Sequence, residues 1–476
     1  MRRRAVIIGA GIGGLTAAIR LAHNDYEVTV VESRPAAGGL ASGFEIDGLH
    51  FDAGPYILLD RPGLDWAFQR LCINPTDYFQ LHRISGVYQV DDGSAELISI
   101  DDSLETTAEG FDARWPGAGE RYRRFINKSI ATYQRLQSLQ WQSRPGLLDV
   151  IRCGAWRDVP FILRSLGSVL NTARLPPPVI QALGIWSHVA GQSANAAPSP
   201  LALVTSVMHR IGAYYPTGGI ATIAKVLFDV AVKAGVEFRF GTSVQRIGCE
   251  NRTVTGVKLH TETLPADIVI SNAGLATYTT LLDDVGHAAL TGRRRRYFDR
   301  LSLQSPGICA YLAVRGQTEP PYLRFRLNDE PDGCRLLITP GVIDKSLERD
   351  GWHPARLVAP MAQSRADAGG EKGQREFLNR IVESEAWWRE TFSDVRVLRT
   401  RIPCEWGSHF SLHRNSMNPV MTSRFMLTGR IAHQSPWIRN LYVAGSATHP
   451  GQWVSFCAVS GIHAADRVLT DAGIQS

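Results

Sequence analysis

The sequence predicts an α/β fold on three observations. Near the N terminus, a glycine-rich turn joins a short apolar strand to an apolar helix. Residues 212–274 have the pattern of a helix followed by four strands, and residues 440–469 that of a strand, a Pro-Gly turn and a helix. The chain has 476 residues, 44% of them hydrophobic and 20% charged. This length exceeds what one simple core accommodates. We therefore expect at least two structural domains.

The N-terminal segment carries the pattern of a nucleotide-binding turn. Apolar residues 5–8 precede Gly9-x-Gly11-x-x-Gly14, and a second apolar strand ends at Glu32. Glycines at these positions permit a tight turn, a close approach of the backbone to a pyrophosphate and close packing of the helix on the strand. An acid at position 32 suits the two ribose hydroxyls of an adenosine. This unit predicts a Rossmann-like domain and leaves FAD and NAD open.

The next segment resembles a known family. Glu32 is followed by the double glycine Gly38-Gly39, and then by Asp-Ala-Gly54-Pro55. This arrangement resembles the FAD-containing amine oxidase and phytoene desaturase superfamily, in which the double glycine follows the ribose-binding acid and a later glycine lies beside the flavin. The family often has a basic residue at the position of Leu40. This difference affects one of the expected phosphate contacts and not the expected cofactor. The resemblance implies FAD as the cofactor.

Residues 212–274 extend the resemblance to the bacterial phytoene-desaturase-like branch. The pattern predicts a helix to residue 234 and strands at 236–240, 243–247, 254–259 and 267–271. In that branch the same αββββ order returns the chain to the cofactor domain. The backbone of Val244 matches the position that usually holds the adenine.

The third matching segment lies near the C terminus. A strand at 440–445 leads to Thr448-His449-Pro450-Gly451, a run similar to the desaturase branch, and we expect the last helix at 459–469. The superfamily closes its FAD site in this way, with the N terminus of the last helix directed at the flavin. His449 is either an acid or base, or a hydrogen-bonded turn residue.

The candidate cofactor-binding residues come from all three segments. They are Gly9, Gly11, Gly13, Gly14, Glu32, Ser33, Arg34, Gly38, Gly39, Leu40, Gly54, Pro55, Tyr56, Val244, Asn272, Gly445, His449, Gly451, Trp453 and Val454. Tyr56, Tyr215, Trp453 and Phe456 are candidate pocket-lining aromatic residues, each of which could instead belong to the core. The sequence identifies no catalytic side chain and no metal ligand.

The three segments imply a discontinuous cofactor domain interleaved with an α+β substrate domain. We expect the cofactor domain at 1–75, 216–290 and 411–476. We expect a helical, membrane-facing substrate region at 76–215 and the remaining substrate domain at 291–410. Residues 146–171 have apolar and basic residues at helical spacing, which suits either an interfacial helix or an ordinary cap helix. The polar stretch 408–418 is either a recognition element or a surface loop.

The resemblance carried by these three segments implies an FAD-dependent desaturase or dehydrogenase. Its expected substrate is a long apolar isoprenoid or polyene, and oxygen or a quinone is the expected electron acceptor because the sequence has neither a second dinucleotide fingerprint nor a Cys-x-x-Cys pair. The alternatives are a flavin-dependent isomerase, saturase or amine-type oxidase, and a non-catalytic flavin-stabilised lipid carrier.

Charge and hydropathy set the expected environment. The net charge of +6 is mild and spread along the chain, which argues against nucleic acid and is compatible with an anionic surface. The sequence contains no apolar run long enough to span a bilayer, and its seven cysteines suggest a reducing compartment. We expect a cytoplasmic protein that could be peripheral on the inner face of the cell membrane.

Overall fold

The computed structural model describes residues 2–93, 97–316, 319–328 and 332–474. The ends of the predicted cofactor domain, residues 1 and 475–476, lie outside this part. The described strands, in chain order, are β1 (Arg4–Ile8), β2 (Glu27–Val31), β3 (Gly43–Ile46), β4 (Leu49–Asp52), β5 (Leu81–Arg83), β6 (Tyr88–Asp91), β7 (Leu97–Ile100), β8 (Tyr214–Pro216), β9 (Glu237–Arg239), β10 (Arg246–Glu250), β11 (Thr253–Lys258), β12 (Thr263–Pro265), β13 (Ile268–Ser271), β14 (Leu303–Gln304), β15 (Ile308–Arg315), β16 (Leu323–Leu327), β17 (Cys334–Ile338), β18 (His353–Ala359), β19 (Asp394–Arg401), β20 (Asn418–Pro419) and β21 (Leu441–Val443).

Helices connect these strands and cover the sheets. The described α-helices are α1 (Ile12–Ala22), α2 (Arg61–Arg70), α3 (Leu104–Arg114), α4 (Ala118–Gln140), α5 (Leu147–Arg152), α6 (Val159–Ile162), α7 (Leu166–Asn171), α8 (Pro177–Val189), α9 (Leu203–Arg210), α10 (Ala221–Lys233), α11 (Asp284–Ala289), α12 (Gly292–Asp299), α13 (Gln363–Ser384), α14 (Trp387–Glu390), α15 (Pro403–His409) and α16 (Val454–Asp471). None of the helices within the described part of the chain is both long and apolar enough to cross a bilayer.

A parallel sheet assembles the three cofactor segments. Its strand order is β21-β13-β1-β2-β9, so the N-terminal, middle and C-terminal segments lie side by side. Side chains of β1 alternate between two cores, as the period of a strand requires. Ala5 and Ile7 pack among the helices on one face, whereas Val6 and Ile8 face the layer formed by β10, β11 and β12. The predicted three-segment Rossmann-like arrangement is thus the fold observed.

The second sheet combines both predicted substrate segments. Its order is β19-β15-β18-β17-β16-β6-β7, with β6 and β7 coming from the segment predicted as helical. α13 covers one face through a core that includes Ile308, Leu357 and Ile381. On the other face Tyr311 packs edge-on against Phe44 and Phe51 of the β3–β4 hairpin. This aromatic contact joins the substrate sheet to the cofactor domain.

Several predicted boundaries differ from the structure. The last helix begins at Val454 rather than at residue 459, because the residues after the Pro-Gly turn form its first turn with Trp453 as the N-cap. The strand predicted at 243–247 begins at Arg246, and the short strand β12 was missed, which adds a strand to the predicted αββββ order. Region 76–215 is helical only from α3 onwards, apart from β8 at its end, because β5, β6 and β7 precede that helix.

The amphipathic segment 146–171 is not one helix. It forms α5, a 3-10 turn at Ala155–Asp158, then α6 and α7. Gly154 adopts a φ of +74°, a left-handed conformation that ends α5, and Pro160 lies in the first turn of α6, where its missing amide donor costs little. The segment packs on the chain that follows α8, since the Ser199 amide donates to the Arg164 carbonyl and the Leu166 amide to Ala197.

Candidate functional site

A cavity of about 910 Å³ lies between the two sheets. It begins at the carboxyl ends of the parallel strands, the edge at which open α/β sheets bind ligands. Most of the candidate cofactor residues line it: Gly9, Gly11, Gly13, Glu32, Ser33, Arg34, Gly38, Gly39, Leu40, Gly54, Pro55, Tyr56, Val244, Asn272, Gly445, Trp453 and Val454. Gly14, His449 and Gly451, and the pocket candidates Tyr215 and Phe456, are not part of the lining.

Asn272 is the point at which the three segments meet. A Cβ atom added at Gly11 would lie 2.8 Å from its Nδ2 atom, and one at Gly13 would lie 2.8 Å from its Oδ1 atom. A Cβ at Gly445 would come within 2.5 Å of the same oxygen. A side chain at any of the three glycines would force Asn272 to move, so glycine at these positions keeps the backbone open to the cavity.

Gly14 has a packing role beneath the cavity. A Cβ there would lie 2.0 Å from the carbonyl oxygen of Gly9, so only glycine allows α1 to approach the turn after β1. Gly9 itself has a φ of +92°. Together they direct the N terminus of α1 at the cavity, where its first-turn amides have no acceptor within the helix.

The Glu32 carboxylate is held firmly at the end of β2. Its Oε2 atom accepts the Ala10 amide at 2.7 Å, and its Oε1 atom accepts the Arg34 amide at 2.9 Å and the Ser33 hydroxyl at 3.3 Å. A carboxylate has about four acceptor positions. These bonds fix its orientation at the cavity wall and leave acceptor capacity for a ligand hydroxyl.

The double glycine closes against the first turn. Gly38 and Gly39 have φ values of +115° and +54°, and the Gly38 amide donates to the Ala10 carbonyl at 2.8 Å. A Cβ at Gly39 would lie 3.1 Å from the Cα atom of Gly11. The two glycine-rich turns thus form one continuous backbone surface along the cavity.

Arg356 supports the segment around Gly54 and was missed from the sequence. Its Nη1 atom donates to the carbonyls of Asp52, Ala53 and Gly54 at 2.8, 3.3 and 3.2 Å. The residue is 5% exposed and lines the cavity, and nearby Tyr322 donates a short hydrogen bond to the Tyr56 carbonyl. The available signal was an arginine within β18, whose other residues after His353 are apolar.

The start of α16 reaches the cavity through Trp453 and Val454. Phe456 stacks behind Trp453, with ring centroids 4.8 Å apart and an interplanar angle of 15°. Phe456 therefore positions the tryptophan and does not contact the cavity. The turn before the helix is tied to it by the Ser460 hydroxyl, which accepts the Gly445 amide at 2.8 Å.

His449 occupies the turn as a partly buried structural residue. Its Nε2 atom lies 3.0 Å from the Leu139 carbonyl, and its ring stacks on His463 with centroids 6.3 Å apart. Burial, with the nearby Arg430 charge, lowers the pKa of His449 to about 3. Of the two predicted alternatives, the geometry is that of a hydrogen-bonded turn residue.

Apolar residues of helices and strands also line the cavity, and this part of its wall was missed from the sequence as well. Its lining includes Trp186, Val189, Leu201, Val204, Leu336 and Val358. The polar stretch after α15 contributes as well, with Phe410, His413 and Arg414 among the lining residues, so that stretch is a cavity wall rather than only a surface loop. Within the described ranges, no group of three or more His, Cys, Asp or Glu residues could hold a metal ion.

Comparison with known proteins gives matches to the N-terminal domain and to the whole chain. Residues 7–69 match the family model of the NAD(P)-binding Rossmann-like domain. A zeta-carotene-forming phytoene desaturase from Myxococcus xanthus is 26% identical over 99% of this chain and 95% of its own. A carotenoid 3,4-desaturase from Haloarcula japonica is 25% identical over 98% of both chains. A 4,4'-diapolycopene oxygenase from Methylomonas sp is also 25% identical over 98% of both.

Solved structures share the fold at lower identity. An oxidoreductase from Methanosarcina mazei matches with a TM-score of 0.66 at 18% identity, covering 96% of this chain and 99% of that one. Wild-type putrescine oxidase bound to putrescine matches at 0.64 and 16% over 99% of both. A fatty acid isomerase from P. acnes matches at 0.59 and 12% over 98% of both. The predicted fold and the predicted resemblance to the phytoene-desaturase-like branch are confirmed.

Proposed function

We propose that this relative of the carotenoid desaturases is an FAD-dependent oxidoreductase that introduces C=C bonds into a long apolar isoprenoid or polyene. The observation that carries the proposal is one cavity with two kinds of lining. Glycine-rich loops contribute one part of the lining, and aromatic and aliphatic side chains contribute another. The near full-length similarity to carotenoid desaturases supports the substrate class.

The residues of the glycine-rich loops and their neighbours fit a dinucleotide. The α1 N terminus suits a pyrophosphate, Glu32 suits the ribose, and the Val244 backbone lies at the cavity wall where the adenine would be held. Trp453 and Val454 also line the cavity, so the N terminus of α16 lies at its wall. A flavin bound there would supply a hydride acceptor.

The aromatic and aliphatic lining residues would bind the isoprenoid chain of the substrate and exclude water from the reacting carbons. Trp186, Leu201 and Tyr56 belong to this lining. The tyrosine hydroxyl is a poor proton donor or acceptor, because burial raises the pKa of Tyr56 far above its usual range. We therefore assign positioning to these residues and no acid or base.

Access to a membrane-dissolved substrate would use an apolar patch, which we define as Leu147, Leu148, Ile151, Trp156 and Leu163. Each of these side chains is more than half exposed, and Arg152 and Arg157 are exposed beside them. Apolar side chains next to basic ones suit an anionic lipid surface. The neighbouring turn Ser199–Ala202 contributes Leu201 to the cavity. We propose a cytoplasmic protein, peripheral on the inner face of the membrane, with oxygen or a quinone as acceptor.

The test is anaerobic turnover with the flavin observed directly. The purified protein is examined for a flavin spectrum, the released cofactor is identified, and phytoene in phosphatidylcholine vesicles is then added. Bleaching of the flavin with a red shift of the polyene absorbance is the expected result. A colourless protein that FAD cannot reconstitute would overturn the proposal.

The same experiment separates the alternatives. A double bond that moves without net flavin reduction indicates an isomerase. If the flavin is first reduced with dithionite, its reoxidation by the polyene with loss of a polyene double bond indicates a saturase. Flavin bleaching by putrescine but not by phytoene indicates an amine-type oxidase. Binding of the polyene with neither spectral change indicates a lipid carrier.

A further inference from the structure

We propose that Arg34 and Arg401, braced by the adjacent, tilted rings of Phe410 and Trp406, clamp the pyrophosphate of the bound dinucleotide. This inference rests on the proposed function, since it takes the cofactor to be FAD. It gives β19 and α15, which belong mainly to the substrate domain, a direct part in cofactor binding.

The starting point is the missing charge at Leu40. This side chain lines the cavity directly after the double glycine and has no hydrogen-bond donor. The loop after β4 packs beside it, because a Cβ at Gly54 would lie 2.6 Å from the Leu40 carbonyl oxygen. A cation that replaces the basic side chain missing at Leu40 must therefore reach the cavity from beside this loop.

Arg401 meets that requirement. It is the last residue of β19, and its Nη1 atom donates to the Tyr311 hydroxyl at 2.6 Å and approaches the Ala53 carbonyl at 3.4 Å. Ala53 directly precedes Gly54 in the loop that packs on Leu40. The guanidinium of Arg401 thus lies next to the loop and at the cavity wall.

An aromatic pair connects Arg401 to Arg34. The Arg34 guanidinium carbon lies 4.4 Å from the Phe410 ring centroid, and the Phe410 and Trp406 centroids are 4.3 Å apart. Arg401 lies over the other ring of the pair, that of Trp406. Cation, ring, ring and cation follow one another, and all four side chains line the cavity. Such cation–π contacts hold two like charges at one wall.

Three of the four side chains, Arg34, Arg401 and Trp406, carry a donor that the described protein residues leave without an acceptor. Arg34 is anchored through Nη1 to the Gly39 carbonyl and the Ser42 hydroxyl, both at 3.2 Å. The Nε atoms of Arg34 and Arg401 and the Nε1 atom of Trp406 are buried and find no acceptor among the described residues. Burial lowers the pKa of both arginines, which reflects the cost of holding these charges away from water.

A pyrophosphate matches this arrangement. It brings two negative charges and several acceptor oxygens, and charge-assisted bonds to arginine are among the strong ones. The position also favours the cofactor over a substrate carboxylate, because Arg34 is bonded to the double-glycine turn and its amide donates to Glu32. The α1 N terminus would face the same group from the cofactor sheet.

The test compares ligands with and without the pyrophosphate. FAD, ADP-ribose and riboflavin are titrated into the full-length apoprotein of the wild type, Arg401→Met and Arg399→Met. Arg399 is the matched control, because it lies on the same strand but is exposed. We expect Arg401→Met to weaken FAD and ADP-ribose by about tenfold or more, with a shallower salt dependence, and to leave riboflavin unchanged. Arg399→Met should bind all three like the wild type.

The outcomes separate this inference from the proposed function. If the wild-type protein binds no FAD, both the clamp and the proposed function are overturned. If the wild type binds FAD and Arg401→Met binds it with the same affinity, the clamp alone is overturned. The clamp is also overturned if Arg401→Met loses as much affinity for riboflavin as for FAD. If Arg401→Met does not fold, Phe410→Leu provides the second variant, since it releases Arg34 from its ring. A reduced FAD-induced rise in melting temperature, with riboflavin binding intact, is then expected, and an unchanged rise would contradict the clamp.

Discussion

Tyr215 donates a buried hydrogen bond to the Asp52 carboxylate at 2.7 Å, and this bond joins the end of the β3–β4 hairpin to β8. The other oxygen of Asp52 accepts the amide of Ala221, the first residue of α10, at 3.0 Å. The first and middle segments of the cofactor domain are therefore held together through one carboxylate. Tyr215, a predicted pocket residue, instead performs this structural task.

We predict that Tyr215→Phe lowers the free energy of unfolding by about 1–3 kcal/mol, because it leaves a buried carboxylate oxygen without its donor. Affinity for the polyene should change little, since Tyr215 does not line the cavity. Urea unfolding measures the first effect and ligand titration the second. Tyr78→Phe is the control at an exposed tyrosine. A large loss of polyene affinity with normal stability would return Tyr215 to the pocket.

Gly14→Ala should destabilise the cofactor domain. The new Cβ would lie 2.0 Å from the Gly9 carbonyl oxygen, so α1 must move away from the turn. We expect a loss of about 1–3 kcal/mol in stability and of most bound cofactor. The matched control is Gly110→Ala, at an exposed position within α3 with nothing within 4 Å of the added atom, where stability should rise by up to about 1 kcal/mol. Thermal unfolding and the flavin content of the purified variants test both, and normal content in Gly14→Ala would contradict the assignment.

The sequence predicted the cofactor side of the cavity better than the substrate side. Gly9, Glu32 and Gly38 follow local rules, because turn geometry and the spacing to a strand end are visible within a short window. Arg356 and Arg401 reach the same cavity from β18 and β19, and only the pairing of distant strands brings them there. Such long-range contacts leave no periodic signal, and Tyr215 was misplaced for the same reason.

Acid sensitivity should depend on His449. Its pKa is about 3 in the folded protein, below the usual 6.5, so the unfolded chain binds more protons below pH 6.5. The stability that the neutral residue contributes is complete above that pH and is lost as the pH falls, by about 2 kcal/mol at pH 5. His449→Gln keeps a donor towards Leu139 and does not titrate. We expect its unfolding free energy to fall less than that of the wild type between pH 7.5 and pH 5, and parallel curves would contradict this.

The apolar patch should control binding to anionic membranes. Leu148 and Trp156 are 66% and 55% exposed, so replacing both with glutamate should cost little stability while it removes apolar area and adds repulsion from the lipid headgroups. We expect binding to phosphatidylglycerol vesicles to weaken about tenfold or more, as measured by vesicle sedimentation. Val232→Glu, at a half-exposed position on α10, is the matched control and should bind like the wild type. Turnover of phytoene in vesicles should fall in parallel with binding, whereas turnover in detergent should be retained. Unchanged vesicle binding in the double variant would show that the membrane contact lies elsewhere on the protein.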